Sequence, residues 1–444
     1  MSKPSNDAAP MKTPRYAWAC LTVATLAAIA IVFSWMWLPA VTFPVFKEWL
    51  LANCASVQAN ASQLGMLSNV MGLVPIAAMI MAFPASIIVR KWGPKIGTIV
   101  GLALALIGTL ICGLTATTNF IGFLVGRFVF GLGLAGTIVA GPTCVSIWFP
   151  HTTRGRAMAI WSIWAGVGIF LTNAIGDSVY AAVGSSIVNL QWVWAVLILV
   201  VLVLFAVVFR NPHEDESSEV SAETRPFKEV LPYFKNRQLW CLIAMFAIFN
   251  YMNYAFSQYL KTWLQLDVAA GGLGWSAGMA GVIGGLICAC GVLSPIGGYI
   301  LDKLSKDKKY LAVVAGIVGL TLCCVFSFKQ SAPIFALYVI FFCIGNMMLN
   351  GCCRPMVPSY VFKGGATAVS LGLSCLTFCQ YLGQSFTSYA LAAFNNSMTA
   401  GACDPMLAFW ALVPVGIVGC ILSLLMKPSK KKDVPAEQTK PAEA

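Results

Sequence analysis

The chain has 444 residues, of which 59% are hydrophobic and only 10% are charged. Soluble domains are about half apolar and a quarter charged, so this composition excludes an ordinary soluble enzyme or binding domain and indicates a membrane protein. The formal net charge of +12 calls for no nucleic-acid partner, because the basic residues lie where they would meet anionic lipid.

Twelve apolar stretches follow one another along the chain, and a bilayer-spanning helix needs about 20 such residues. These stretches are much longer than the segments of about 10 alternating residues that form barrel strands. We therefore predict an all-α, polytopic membrane protein. Its spans 1 to 12 are expected at 16–41, 63–89, 96–115, 120–147, 157–183, 187–209, 239–263, 276–301, 310–329, 332–353, 366–393 and 406–426.

The basic residues fix a predicted orientation. When the spans are threaded alternately across a membrane, 24 of the 28 Lys and Arg residues fall on one side, here called the basic face. The four others are Lys47, Arg127, Lys261 and Lys329. The positive-inside rule then places the basic face and both termini in the cytoplasm. We expect a multi-pass protein of the plasma membrane, in bacteria the cell membrane, and a monomer.

The longest polar stretch, 210–238, divides the spans six and six. The predicted organisation is a cytoplasmic tail at 1–15, a six-helix bundle at 16–209, a cytoplasmic central loop at 210–238, a second bundle at 239–426 and a tail at 427–444. Two loop patterns recur in the two halves, with Pro150 matching Pro358 and Arg90 matching Asp302, at offsets of 208 and 212 residues. The recurrence indicates a duplicated six-span unit whose copies share one orientation.

Two motifs in these halves resemble a known family. Residues 298–303 read Gly-Tyr-Ile-Leu-Asp-Lys, and residues 127–133 in span 4 read Arg-Phe-Val-Phe-Gly-Leu-Gly. They are similar to the Gly-x-x-x-Asp-Arg/Lys and Arg-x-x-x-Gly-x-Gly motifs of the major facilitator superfamily, which the chain resembles over essentially its whole length. The resemblance implies twelve helices in two pseudo-symmetric six-helix bundles, and a secondary transporter.

The resemblance also implies gating roles for Gly298, Asp302 and Lys303, and for Arg90, which stands at the Asp position of the first copy. With Arg90 there and Ser86 in place of the leading Gly, a latch formed by that Asp would be absent or rewired in the N-terminal half. Span 5 lacks the Gly-Pro pair associated with drug antiporters.

Polar side chains inside the spans follow helical faces in spans 5, 7, 10 and 11, whereas spans 3, 6, 9 and 12 are almost wholly apolar. Polar faces are disfavoured against lipid, so we expect the first group to line a water-filled path and the second to face lipid. Amides and hydroxyls also join helices structurally, at about 0.6 kcal/mol each. The candidate substrate-binding residues are Arg127, Asn250, Tyr254, Asn346, Asn350, Thr377, Gln380 and Gln384.

Ionisable side chains inside the spans are few. At 1.5 Å per residue, Arg127 and Asp177 both lie roughly 12 Å below the opposite face. An unpaired charge at that depth costs at least about 2.5–3.5 kcal/mol, so we expect the two to pair, either permanently or as a switch released by a proton or an anionic substrate. Asp177 is the candidate proton-coupling residue, as the only carboxylate well inside a predicted span. Lys261, near the end of span 7, is expected to snorkel to the interface.

These observations predict a transporter rather than an enzyme. No Gly-x-x-x-x-Gly-Lys-Ser/Thr loop is present to bind ATP, and the 16 cysteines show no metal-ligand spacing, so no cofactor or metal is expected. The expected partners are a small polar organic solute, membrane lipid and a coupling ion, with a proton favoured. Arg127 favours anions such as carboxylates as the solute.

Two alternatives remain open at this stage. A proton-coupled exporter of amphipathic or drug-like compounds would suit the aromatic residues of span 7 and of span 1, although the missing Gly-Pro pair argues against it. A non-transporting membrane receptor or assembly protein is the alternative of another class. A polar path through both halves argues against that second alternative.

Overall fold

A computed structural model describes residues 14–38, 43–149, 151–212, 231–270, 272–304, 308–326, 332–361, 365–390 and 412–426. A helix occupies each of the twelve predicted spans, and no β-strand occurs in these ranges. Eight helical stretches in these ranges are long and apolar enough to cross a membrane, when span 8 is counted across its break. Both tails and residues 213–230 of the central loop lie outside the described residues.

The first bundle comprises spans 1 to 6. Its helices are Arg15–Trp35, Asn69–Thr115 (spans 2 and 3), Phe120–Trp148, His151–Ser162 with Trp164–Ala182 (span 5), and Ile187–Val208. The second bundle comprises spans 7 to 12. Its helices are Arg237–Gln265, Ala277–Cys288 with Ser294–Lys303 (span 8), Tyr310–Phe326, Ala332–Val361, Gly365–Ala390 and Leu412–Leu424.

Several spans begin at a residue whose side chain caps the helix. The side chains of Asn119, Ser186, Asn236 and Ser276 accept hydrogen bonds from backbone N–H groups in the first turns of spans 4, 6, 7 and 8. These N–H groups have no partner within the helix, so the caps fix where each span starts. At the turn between spans 2 and 3, Gly93 has φ of 83°, a conformation that favours glycine.

The segment between spans 1 and 2 contains structure that the apolar pattern did not predict. Helices Phe43–Asn53 and Ala55–Ala59 and a 3-10 turn Ala61–Met66 lie at the opposite face. The backbone N–H of Ala55 donates to the carbonyl of Thr117 at 2.7 Å, and that of Phe120 donates to the Ser56 hydroxyl at 2.9 Å. The segment is thereby joined to the turn between spans 3 and 4.

The helices predicted to face lipid have exposed apolar faces. Val207 of span 6 is 76% exposed and Leu424 of span 12 is 81% exposed. Spans 3 and 9 likewise expose large apolar side chains, among them Leu114 and Leu311. These four helices therefore have the exposed apolar side chains that contact with lipid requires, and their position at the lipid boundary stays a prediction.

Glycines bring the helices of each bundle into close contact. A Cβ on Gly131 of span 4 would lie 2.3 Å from the Val74 carbonyl oxygen of span 2, and one on Gly133 would lie 2.3 Å from the Ala105 nitrogen of span 3. In the second bundle, a Cβ on Gly297 of span 8 would lie 2.1 Å from the Met347 carbonyl oxygen of span 10. Both bundles therefore use small residues for close helix approach, as membrane proteins commonly do.

The two bundles contact each other through span 5 against span 8 and span 2 against span 11. A Cβ on Gly281 would lie 2.4 Å from the Asn173 carbonyl oxygen, and one on Gly285 would lie 3.1 Å from the Asn173 Cβ. At the other seam, Gly72 lies against the ring of Tyr389. These contacts lie in the half of the molecule nearer the opposite face.

Candidate functional site

An ion pair joins the two bundles near the opposite face. The Lys261 ammonium of span 7 donates to the Asp177 carboxylate of span 5 at 2.7 Å. The Lys261 side chain is 1% exposed and that of Asp177 is 35% exposed. The prediction that Lys261 snorkels to the interface is therefore wrong, because the ammonium is buried against a carboxylate of the other bundle.

Arg127 does not pair with Asp177, which corrects a second prediction. Its Nε donates to the Val70 carbonyl at 2.9 Å and its Nη2 donates to the Trp35 carbonyl at 3.1 Å. The guanidinium also lies over the rings of Trp37 and Phe130. Arg127 therefore binds inside its own bundle, to spans 1 and 2, and has no carboxylate partner among the described residues.

Tyr254 provides a second link between the bundles. Its hydroxyl donates to the Met71 carbonyl at 3.4 Å, and its ring stacks on Trp35 with the centroids 5.5 Å apart. The Met71 carbonyl is open to this contact because Pro75, four residues later, has no N–H to donate to it. The predicted substrate-binding residue Tyr254 thus lies at the seam between spans 1, 2 and 7.

The polar faces of spans 7 and 11 meet inside the second bundle. The Gln384 amide donates to the Asn250 side-chain oxygen at 3.4 Å, and the Asn250 amide donates to the Phe246 carbonyl at 2.8 Å. Gln258 donates to the Ser388 hydroxyl at 3.3 Å. The Oε1 atom of Gln384 is buried and has no hydrogen-bond partner in the structure. This leaves one acceptor of the predicted site unused.

Two further predicted residues, Asn346 of span 10 and Thr377 of span 11, donate to carbonyls of their own helices. The Asn346 amide donates to the Phe342 carbonyl at 3.3 Å, and the Thr377 hydroxyl donates to the Leu373 carbonyl at 2.9 Å. A Cβ on Gly291 of span 8 would lie 3.7 Å from the Asn350 amide nitrogen. Asn346 is buried, whereas Asn350 and Thr377 are partly exposed.

Arg354 is a candidate site residue that the sequence analysis missed. It lies within the helix Ala332–Val361, and its Nη2 donates to the Gln380 Oε1 of span 11 at 2.8 Å. Span 10 was predicted to end at residue 353, so this arginine was assigned to the basic loops. The spacing contained the signal, because Asn346, Asn350 and Arg354 follow one another at intervals of four on one helix face.

Extending the polar face of span 7 in the same way identifies Lys261. Asn250, Tyr254 and Ser257 on span 7 lead to Lys261 by steps of four, three and four residues, so all four share one face.

The gating motif lies where spans 8 and 10 approach each other. A Cβ on Gly298 would lie 3.7 Å from the Gly351 carbonyl oxygen, and the Lys303 ammonium lies over the Tyr299 ring at 5.4 Å. The side chains of Arg90 and Asp302 lie outside the described part of the structure. Among the described residues, no group of three or more His, Cys, Asp or Glu side chains forms a metal-binding cluster.

Sequence comparison identifies a known protein family. Residues 24–388 match the family model described as Major Facilitator Superfamily. The chain is similar to a nitrite extrusion protein of Bacillus subtilis (strain 168), with 24% identity over 333 residues that cover 73% of this chain and 78% of that one. It is also similar to a probable L-galactonate transporter of Escherichia coli (strain K12), with 24% identity over 285 residues and 58% of each chain covered.

Solved structures share the fold. A bacterial homolog of the human lysosomal transporter Spinster, in an inward-facing and unoccupied conformation, superposes with a TM-score of 0.70 at 16% identity, covering 93% of this chain and 97% of that one. A D-xylose-proton symporter superposes with a TM-score of 0.69 at 14% identity, covering 94% and 99%. This likeness of fold confirms the predicted twelve helices in two six-helix bundles.

Proposed function

The chain belongs to the Major Facilitator Superfamily, and from this we propose that it is a secondary active transporter which moves a small polar organic solute by alternating access. The observation that carries the proposal is the Asp177–Lys261 ion pair between the bundles. Opening the opposite face separates spans 5 and 7, so the pair must break in each transport cycle. The pair thus holds one of two alternately exposed states.

We propose that Asp177 couples transport to protons through Lys261 rather than through Arg127. A proton on the carboxylate removes its charge and so weakens its hold on the Lys261 ammonium. Asp177 is 35% exposed while Lys261 is buried, so a proton reaches the acidic partner first. The fold is similar to that of a D-xylose-proton symporter, which supports a proton as the coupling ion.

Support for an anionic solute now comes from similar proteins. Arg127 no longer provides it, since its donors bind the Val70 and Trp35 carbonyls. Nitrite and L-galactonate, the solutes named for two similar proteins, are both anions. The polar faces of spans 7, 10 and 11 are the proposed binding surface, with Asn250, Gln384 and Asn346 among its residues.

We further propose that the protein is a monomer in the plasma membrane. Its basic face would lie in the cytoplasm. The gate at that face is assigned to residues 298–303 of span 8 and to Arg90 after span 2, as the family motif implies. A Cβ on Gly351 of span 10 would lie 2.9 Å from the Gly298 nitrogen, and this close backbone approach supports the assignment because it lets the end of span 8 move as a unit with span 10.

Transport by the Asp177→Asn variant in proteoliposomes tests the proposal. The first substrates are radiolabelled L-galactonate, nitrite and D-xylose, the solutes named for similar proteins. We expect the variant to lose accumulation driven by a proton gradient and to keep exchange against preloaded solute, because an amide cannot take up and release the proton.

Asp267→Asn is the matched control, since Asp267 is an exposed carboxylate at the same face just after span 7. It should accumulate solute like the wild type. An Asp177→Asn variant with the wild-type pH dependence would remove Asp177 from the mechanism. A wild-type protein that moves none of a broad panel of polar solutes would refute the transport function itself.

A further inference from the structure

Arg354 is a cation that the second bundle holds among neutral groups. Its guanidinium donates to Gln380 on span 11 and lies over the Phe246 ring of span 7 at 5.9 Å. Among the described residues, Lys261 and Asp177 form the one ion pair with a nitrogen and an oxygen within 4 Å of each other. No carboxylate of these residues lies within 4 Å of Arg354. A charge surrounded by protein without a counter-ion is unfavourable unless hydrogen bonds or a ligand compensate it.

The two arginines inside the spans differ in how their donors are used. Arg127 is 1% exposed and donates to two backbone carbonyls and to the Met71 sulfur, so three of its five N–H groups are used inside the first bundle. Arg354 is partly exposed and uses Nη2 for Gln380. No nitrogen of Arg354 is both buried and without a partner. Its remaining N–H groups therefore reach accessible space.

The geometry also orients a second donor. Because the Oε1 atom of Gln380 accepts from Arg354, the Nε2 amide of Gln380 is left as a donor beside the guanidinium. A planar guanidinium binds a carboxylate through two parallel N–H···O bonds. An additional amide donor suits the same anion and does not suit a cation.

We propose that Arg354 and Gln380 form the subsite that binds the carboxylate of the transported solute, and that the solute is therefore a small organic anion. This rests on the proposed transport function and names its substrate class. Asn350 lies one helical turn before Arg354 on the same face, where it would contact the uncharged part of such a ligand. Arg127 keeps a structural role.

Binding measured by thermal unfolding of the purified, full-length protein tests this assignment. The probes are acetate, lactate, succinate and gluconate, with glycerol and glucose as uncharged counterparts. We expect at least one of the four anions to raise the unfolding temperature, and we expect glycerol and glucose to have no effect. Arg354→Gln should weaken anion binding about tenfold or more, and Arg354→Lys less, because an ammonium keeps the charge and loses the paired geometry.

Gln380→Glu is the second variant, because it places a carboxylate beside Arg354 at nearly constant volume. It should keep the protein folded and abolish anion binding by occupying the guanidinium. Arg237→Gln, at an exposed arginine where span 7 begins, is the control and should bind anions like the wild type.

The outcomes separate this assignment from the transport function. Anion binding unchanged by Arg354→Gln and Gln380→Glu would overturn the subsite, as would a panel in which no anion binds. Gradient-driven uptake of an uncharged solute, unaffected by these variants, would overturn the subsite and leave the transport function intact.

Discussion

At the scale of single residues, Arg127 shows how a buried charge is satisfied without a carboxylate. Trp35 is the last residue of its helix, so its carbonyl has no N–H partner within span 1. Arg127 donates to this carbonyl and to that of Val70, and so ties spans 1, 2 and 4 together. We infer from these bonds that Arg127 holds the first bundle together.

This interpretation predicts that Arg127→Met destabilises the protein. The Val70 and Trp35 carbonyls lose their donor in a buried setting, which costs about 1–3 kcal/mol. Thermal unfolding in detergent should show a lower midpoint. Combination with Asp177→Asn should be additive to within about 0.5 kcal/mol, because the two side chains do not contact each other. A clear coupling between the two would contradict the structure.

The sequence predicted the depths of Arg127 and Asp177 in the membrane but not their directions. Depth follows from counting residues along a helix, whereas direction depends on how each helix is rotated in the bundle. That rotation is set by packing, such as the contacts of Gly131 and Gly133 with spans 2 and 3. Two opposite charges at one depth are therefore insufficient to predict an ion pair.

At the scale of elements, apolar length was enough to predict all twelve spans, because lipid requires long helices with internal hydrogen bonds. The interruption of span 8 was not predicted. A 3-10 turn at Ala289–Leu293 separates its two helices, and Pro295 stands in the first turn of the second. Proline has no N–H and is favoured in the first turn of a helix, which explains why a new helix begins here. The helices between 43 and 66 depend on contacts distant in sequence.

Glycines of span 8 give a graded test of helix packing. Gly297→Ala should destabilise the protein by about 1–3 kcal/mol, because the new methyl would lie 2.1 Å from the Met347 carbonyl oxygen. Gly278→Ala is the control in the same span, since no atom lies within 4 Å of its Cβ position. Thermal unfolding of the two variants compares them directly.

Gly298→Ala belongs in the same series because its Cβ would make an ordinary contact at 3.7 Å. Its unfolding temperature should stay close to that of the wild type. Loss of transport without loss of stability would then support the gating role. A Gly297→Ala variant as stable as Gly278→Ala would show that spans 8 and 10 are farther apart than described.

At the scale of the whole molecule, the seam that span 5 forms with spans 7 and 8 near the opposite face contains small, polar and charged groups. Asn173 lies against Gly281 and Gly285, and Asp177 lies one turn further along span 5 with Lys261. Water can solvate these polar and charged groups when the seam opens, so separating them costs less than separating a wholly apolar contact would. It is suited to repeated opening.

A disulfide across this seam should stop transport. The Cβ position of Gly285 lies 3.1 Å from the Asn173 Cβ, near the separation of about 3.5–4.5 Å that disulfides require. We expect Asn173→Cys with Gly285→Cys to form a bond under oxidation, to lose uptake, and to regain it on reduction. After cleavage at a protease site introduced into 213–230, the two halves should migrate together until reduced.

Asn173→Cys with Gly284→Cys is the matched control, because Gly284 faces Leu264 of span 7 instead of span 5. It should neither join the halves nor stop uptake under oxidation. Full uptake by the cross-linked Gly285 pair would show that spans 5 and 8 need not separate, which would contradict alternating access.

Pro75 determines how deeply water must enter between the bundles when they part. The Met71 oxygen lacks a helical donor and relies on the Tyr254 hydroxyl of the other bundle. When the bundles part, that oxygen needs a replacement, and a water molecule is the simplest one. Water must then reach the first turn of the helix Asn69–Thr115, so Pro75 sets the minimum depth to which the gap between the parted bundles fills with solvent.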